Sequence, residues 1–163
     1  MWFLHRACGL LLLFLQGCAP LLTSFPEGVQ SKLHQLYVHS IDDRRGQYMR
    51  LQLMEKIQSH KATSYNYFLD ISLSTEKSIL AFSEEGVAIR DRITTKVTYK
   101  LLDKDHQVLT TGTLKAHGSF NLIEDEFFAV SSAQKTAEEA NIDRLINSLV
   151  LALANYFKEY PVS

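Results

Sequence analysis

In the stretch AIRDRITTKVTYK the cations Arg90, Arg92, Lys96 and Lys100 all fall at even positions. Every second side chain of an extended segment emerges on the same face, so this spacing gathers them into one row. Lys115, in a following extended segment, lies where it could join them. Such a row has a definite chemistry: guanidinium groups grip phosphates and carboxylates through two parallel hydrogen bonds, and ammonium groups add point charges. An ordinary alternative uses the same spacing. Charged rows solvate exposed sheet faces and blunt edge strands against aggregation, so the row is either a ligand- or partner-contacting face or a solvated one.

Cys18 carries a second kind of chemistry. It follows Arg6 and an apolar run ending at Leu15, far short of the roughly 20 residues that span a bilayer and matching the basic start and apolar centre of a secretory signal. Leu15-Gln16-Gly17-Cys18 resembles a bacterial lipobox, which implies cleavage before Cys18 and acylation of its sulfur and new amino terminus. Burying acyl chains yields about 0.8 kcal/mol per methylene, so two or three chains anchor durably where one is marginal. Cys8 would leave with the signal, so no intramolecular disulfide is expected despite an oxidising compartment. Ala19, in place of an Asp, resembles lipoproteins sent on to the outer membrane.

The remaining reactive side chains fall in no catalytic or metal-binding pattern. His34 and His39 are five apart, so within one strand they would point to opposite faces. No HExxH or cysteine pair gathers the six histidines into a metal site. Glu124-Asp125-Glu126 are too close together to flank a substrate as acid and base, and suit the start of a helix instead. There is no Gly-x-Ser-x-Gly elbow, and the seven glycines are scattered rather than forming a phosphate loop. An enzyme and a cofactor are therefore not expected. The formal charge of −1 gives no reason to invoke nucleic acid.

The elements that would position the basic row follow from periodicity. Residues 1–17 read as signal peptide, 18–31 as acylated cysteine and aperiodic tether, and 32–163 as one domain. Leu36 and Val38 alternate as a short first strand. Asp42 and Asp43 offer caps to a helix carrying Met49, Leu53, Met54 and Ile57, with Gly46 weakening its first turn. Tyr65, Tyr67, Leu69, Ile71 and Leu73 then share one face of a second strand, leaving Phe68 the lone aromatic on the polar face. After Ser83–Gly86, Val87, Ile89, Ile93, Val97, Tyr99 and Leu101 oppose the cationic row in a third strand. A fourth runs from Gln107 towards His117 with Val108, Leu114 and Ala116 inward. A last helix, from about Phe128 to Phe157, carries an apolar stripe including Ile142, Leu145, Leu149 and Leu153. The expectation is an α+β two-layer sandwich in β-α-β-β-β-α order, a four-stranded, mostly antiparallel sheet with two helices on its apolar face.

On these residues the chain resembles the LptE family of lipopolysaccharide-assembly lipoproteins. The likeness is carried by LYVHSIDDRRGQYMRLQLMEKI, including Arg45-Gly46-Gln47, and by YFLDISLS, RDRITTKVTYKLLD, a Thr-Gly-Thr strand and the Ala-rich last helix. It is similar to the alphaproteobacterial branch. The resemblance implies an outer-membrane lipoprotein, facing periplasm and barrel lumen, that plugs the β-barrel LptD, assists its assembly and helps export lipopolysaccharide. The basic row would then meet lipopolysaccharide or the barrel wall. A different class remains open: an auxiliary lipoprotein of a periplasmic lipid or solute ABC transport system.

Overall fold

Alternating segments become three long strands. The computed structural model describes residues 25–160, in which β2 (Tyr67–Phe82), β3 (Ala88–Asp103) and β4 (Val108–Asn121) form an antiparallel meander. The short β1 (Leu36–Val38) runs parallel to β2 and pairs only with Tyr67, Phe68 and Leu69. The sheet is therefore mixed, in the order β1-β2-β3-β4. β2 runs past the expected end near Ser74, because its register against β3 continues to the turn at Ser83–Gly86. Gly86 takes φ 81 there, a conformation open to a residue without a Cβ. At the β3–β4 turn the Asp103 carboxylate accepts the backbone N–H groups of Asp105 and Gln107.

Among the described residues, three α-helices accompany the sheet: α1 (Glu27–His34), α2 (Asp43–Lys56) and α3 (Phe127–Glu159). They build one core with the sheet face that carries the odd-numbered residues of β2 and β3 and the even-numbered residues of β1 and most of β4, in which Leu33, Leu36, Met49, Leu53, Leu69, Val97, Leu101, Leu149 and Leu153 are all fully enclosed. α1 departs from the expected tether. Its eight residues carry too little pattern to announce a helix, but Val29 and Leu33 bury one side of it. His34 consequently closes a helix rather than sharing a strand with His39. The acylation site, the signal segment and Pro161 lie outside the described residues.

The helical cover is uneven. α3 has 33 residues, about 50 Å at 1.5 Å per residue, yet all of its buried positions lie from Asn141 onward. Asn141 itself is fully buried and donates from Nδ2 to Ile93 O and Thr95 Oγ1, each at 3.2 Å, while its Oδ1 accepts from Arg144. These bonds pin α3 to β3 where the apolar core ends. Towards the β2–β3 turn, Ile79, Phe82, Val87 and Ile89 are exposed; Val87 and Ile89 keep the expected parity but extend beyond the helices.

Val108 is likewise 58% exposed rather than inward. A β-bulge shifts the register between Leu101 and Leu102, and a one-residue slip exchanges the two faces of a strand. Leu109 packs on the core instead.

Gly46 is a packing requirement rather than a weak point. A Cβ there would lie 2.6 Å from Ile41 Cγ2 and 3.0 Å from the Ile41 carbonyl carbon. Its N–H is also capped by Asp43 Oδ1 at 2.9 Å, a bond that holds the Asp43 carboxyl below its usual pKa. Gly46→Ala is expected to cost about 1–3 kcal/mol, the range for overpacking a filled site, despite the better helix propensity of alanine. Thermal unfolding measures it; a variant melting at or above wild type would show that α2 does not seat on Ile41.

Candidate functional site

The even-numbered face of β3 looks away from the helices, and Arg90, Arg92, Lys96, Lys100 and, on β4, Lys115 are all exposed there. Register decides which of them converge. Lys96 stands opposite Lys115, and directly opposed residues on one face have Cβ atoms about 4.5–5.5 Å apart. Arg92 and Lys100 are each four residues from Lys96, about 13 Å along the strand, too far to share one phosphate with it. Lys100 lies between Asp70 and Thr111, and Arg92 between Ser78 and Ser119. Arg90 is held locally, its guanidinium donating to Ser119 Oγ from Nε and from a terminal nitrogen at 3.2 and 2.8 Å. Among the described residues, Arg92, Lys96, Lys100 and Lys115 form no ion pair.

Lys96 and Lys115 are thus the pair of the row set directly opposite each other across two strands. Around them the outer face presents hydroxyl groups: Ser74 flanks Lys96, and Thr98 and Thr113 face each other one row on. Like charges set directly opposite in a sheet are destabilising, and no carboxylate occupies the Lys96–Lys115 row to relieve them.

Near β1 the same face is aromatic, which sequence reading missed. Phe68 is joined by His39, stacked at 5.8 Å, and by His106 at 5.1 Å, while Tyr37 contacts His39 and Tyr65, each at 5.3 Å. His39 Nδ1 meets Asp70 Oδ1 at 2.5 Å. Tyr65, expected inward, precedes β2 and is 38% exposed. Three separate segments supply these rings: β1 with the residue after it, the start of β2, and the β3–β4 turn. The available signal was the outward parity of Tyr37 and Phe68, which becomes informative only once β1 is known to pair with β2.

Tyr67 and Tyr99 do face the core, and burial raises both phenols above their usual range. They remain neutral and pack as apolar rings. Glu124, Asp125 and Glu126 occupy the turn into α3, where Glu126 O accepts the N–H of Val130. Among the described residues no three His, Cys, Asp or Glu side chains come together as metal ligands, and no helix is long and apolar enough to cross a membrane.

Comparison with known proteins bears on this architecture directly. The sequence profile of the LptE family, described as lipopolysaccharide-assembly, matches residues 33–156. The chain belongs to the LptE family. That span covers β1 to the last turns of α3, so the exposed cationic face is part of the family's own domain. No curated protein matches the chain. Solved structures share the fold. A Caulobacter crescentus protein described as a lipoprotein superposes with a TM-score of 0.67 at 22% identity, covering 81% of this chain and 96% of that one. Lipoprotein B from Nitrosomonas europaea gives 0.60 at 16% identity, with 76% and 83% covered. A minor lipoprotein from Acinetobacter baumannii gives 0.60 at 12%, with 75% and 92% covered.

The Lys96–Lys115 opposition has a measurable cost. Lys115→Glu turns a repulsive cross-strand pair into an attractive one and is expected to stabilise the fold by about 1 kcal/mol. The gain should shrink between low and high salt, because exposed charges are screened. Equal melting temperatures for variant and wild type at low salt would show that the two ammonium groups splay apart.

Proposed function

We propose that this LptE-family chain is an outer-membrane lipoprotein, anchored through acylated Cys18 after loss of residues 1–17, that seats against an LptD-like β-barrel, assists its assembly and binds lipopolysaccharide during export. It acts by binding, not by catalysis. The observation that carries this reading is the Lys96–Lys115 pair, two positive charges set directly opposite each other on an open sheet face where Ser74, Thr98 and Thr113 present hydroxyls. Phosphates and carboxylates of an anionic glycolipid would neutralise it. The same face suits the polar interior of a wet barrel, with Arg92 and Lys100 extending the contact to either side. An extended chain from Cys18 to Phe25 reaches at most about 25 Å, so an anchored domain would work close to its membrane.

Three measurements test the parts separately. Cys18→Ala is expected to abolish incorporation of labelled palmitate; undiminished labelling would refute the anchor. Depleting the protein is expected to leave the barrel misfolded or absent, and normal barrel levels would remove the assembly role. The Lys96→Gln/Lys115→Gln double variant is expected to bind lipopolysaccharide about fivefold more weakly at low salt, taking each exposed charge contact at about 0.5 kcal/mol. The deficit should close as salt rises. Arg90→Gln/Arg92→Gln should lose less, since Arg90 is engaged by Ser119. A loss equal to or greater than that of the lysine pair would move the binding centre to the arginines.

A further inference from the structure

β2 is an edge strand for most of its length. β1 covers Tyr67 to Leu69; the last bonds across that boundary run from Tyr67 N–H to Gln35 O and from His39 N–H to Leu69 O. Tyr67 and Leu69 therefore direct their peptide groups towards β1. By the two-residue repeat of a strand, Ile71, Leu73, Thr75 and Lys77 direct theirs to the same side, where no strand pairs with them among the described residues. The free edge runs straight until the register shift between Ile79 and Ala81, a length of about 25–30 Å.

Natural sheets guard such an edge with lysines, prolines or bulges. Here the guards are missing or diverted. β2 contains no proline. Its lysine, Lys77, is paired with the buried carboxylate of Asp91 at 3.5 Å, and the bulge lies at the far end. The opposite edge of the sheet differs: on β4, Arg144 of α3 donates to the carbonyl of His117 at 2.7 Å and Lys115 stands exposed.

We propose that the β2 edge from Ile71 to Lys77 is a strand-addition site, filled by an extended segment of the barrel partner. Its side chains define that segment. Towards the helices it would lie beside half-buried Ile71 and Leu73 and, further along, exposed Ile79, so alternate residues should be apolar. Towards the outer face it would lie beside Ser72, Ser74 and Glu76, so the intervening residues should be hydroxylated or basic. Strands inside a closed barrel have no free edge, so the occupant is an unpaired extended segment flanking one of them, and added strands take their affinity from main-chain hydrogen bonds and their specificity from alternate side chains. The identity of the partner rests on the function proposed above; the free edge does not.

The test uses the full acylated chain, alone and copurified with the LptD-type barrel, and follows amide deuterium exchange across β2. Peptides spanning Ile71–Lys77 are expected to exchange at least tenfold more slowly in the complex, and a photo-crosslinking residue at Thr75 is expected to join one extended segment of the barrel. Thr75→Pro places a ring where an incoming strand would bond, at a position whose N–H is not used by β3; barrel retention should fall at least tenfold. Ser72→Lys, at an exposed position on the outer face, keeps every peptide donor and guards against a proline variant that fails to fold; with its added edge lysine it too should weaken retention while melting like wild type. Equal exchange of β2 in the free and bound chain, or wild-type retention of the lysine variant, overturns strand addition. Slow exchange already present in the free chain overturns it in favour of another occupant, a second copy if the chain sediments as a dimer and its own terminal residues if it is a monomer. Absence of any complex with the wild-type chain overturns the barrel reading and this proposal with it, whereas a complex with unprotected β2 overturns strand addition alone.

Discussion

β3 is hydrogen-bonded along nearly its whole length on both edges, to β2 on one side and β4 on the other. Its two faces obey opposite demands. Ile93, Val97, Tyr99 and Leu101 must leave water, and in doing so they force Arg92, Lys96 and Lys100 outward, because successive residues of a strand cannot share a face. Slipping β3 by one residue would bury the cations and expose the core at once. Register is therefore set by burial, and the charged face is its unavoidable counterpart.

Burial is concentrated at one end. The fully enclosed side chains come from α1, α2, the second half of α3 and the sheet near β1, and Asn141 marks where they give out. Beyond it the hairpin of β2 and β3 continues to Phe82 and Ala88 with little helical cover. A hairpin of that reach needs support from its neighbours, and β4 provides it on one side only. The edge of β2 and the apolar turn beyond it are consequences of one arrangement: a sheet longer than the core that holds it.

Inward and outward positions of β2 and β3 were legible in the sequence because they follow from a local rule, period two, that tertiary structure had no reason to override. The same held for the apolar stripe of α3. α1 was hidden because eight residues are too few for periodicity to show, and its helical state rests on contacts of Val29 and Leu33 with a core assembled from residues far along the chain. Gly46 was misread for a related reason: helix propensity describes an isolated helix, whereas the close approach of Ile41 requires a position without a Cβ. Val108 failed at a bulge, where an extra residue reverses a parity that the flanking sequence does not announce.

Sequence by itself determined the faces of the long strands, the residue types of the cationic row and the likeness to the LptE family, since each depends on neighbours within a few positions. Tertiary structure alone decided that Lys96 meets Lys115, that Arg90 is engaged by Ser119, that Tyr37, His39, Phe68 and His106 share one surface, and that β1 stops after covering three residues of β2. These are relations between segments distant in the chain. They are set by strand register and packing, which minimise exposed apolar area over the whole molecule and leave no mark on the local pattern of any one strand.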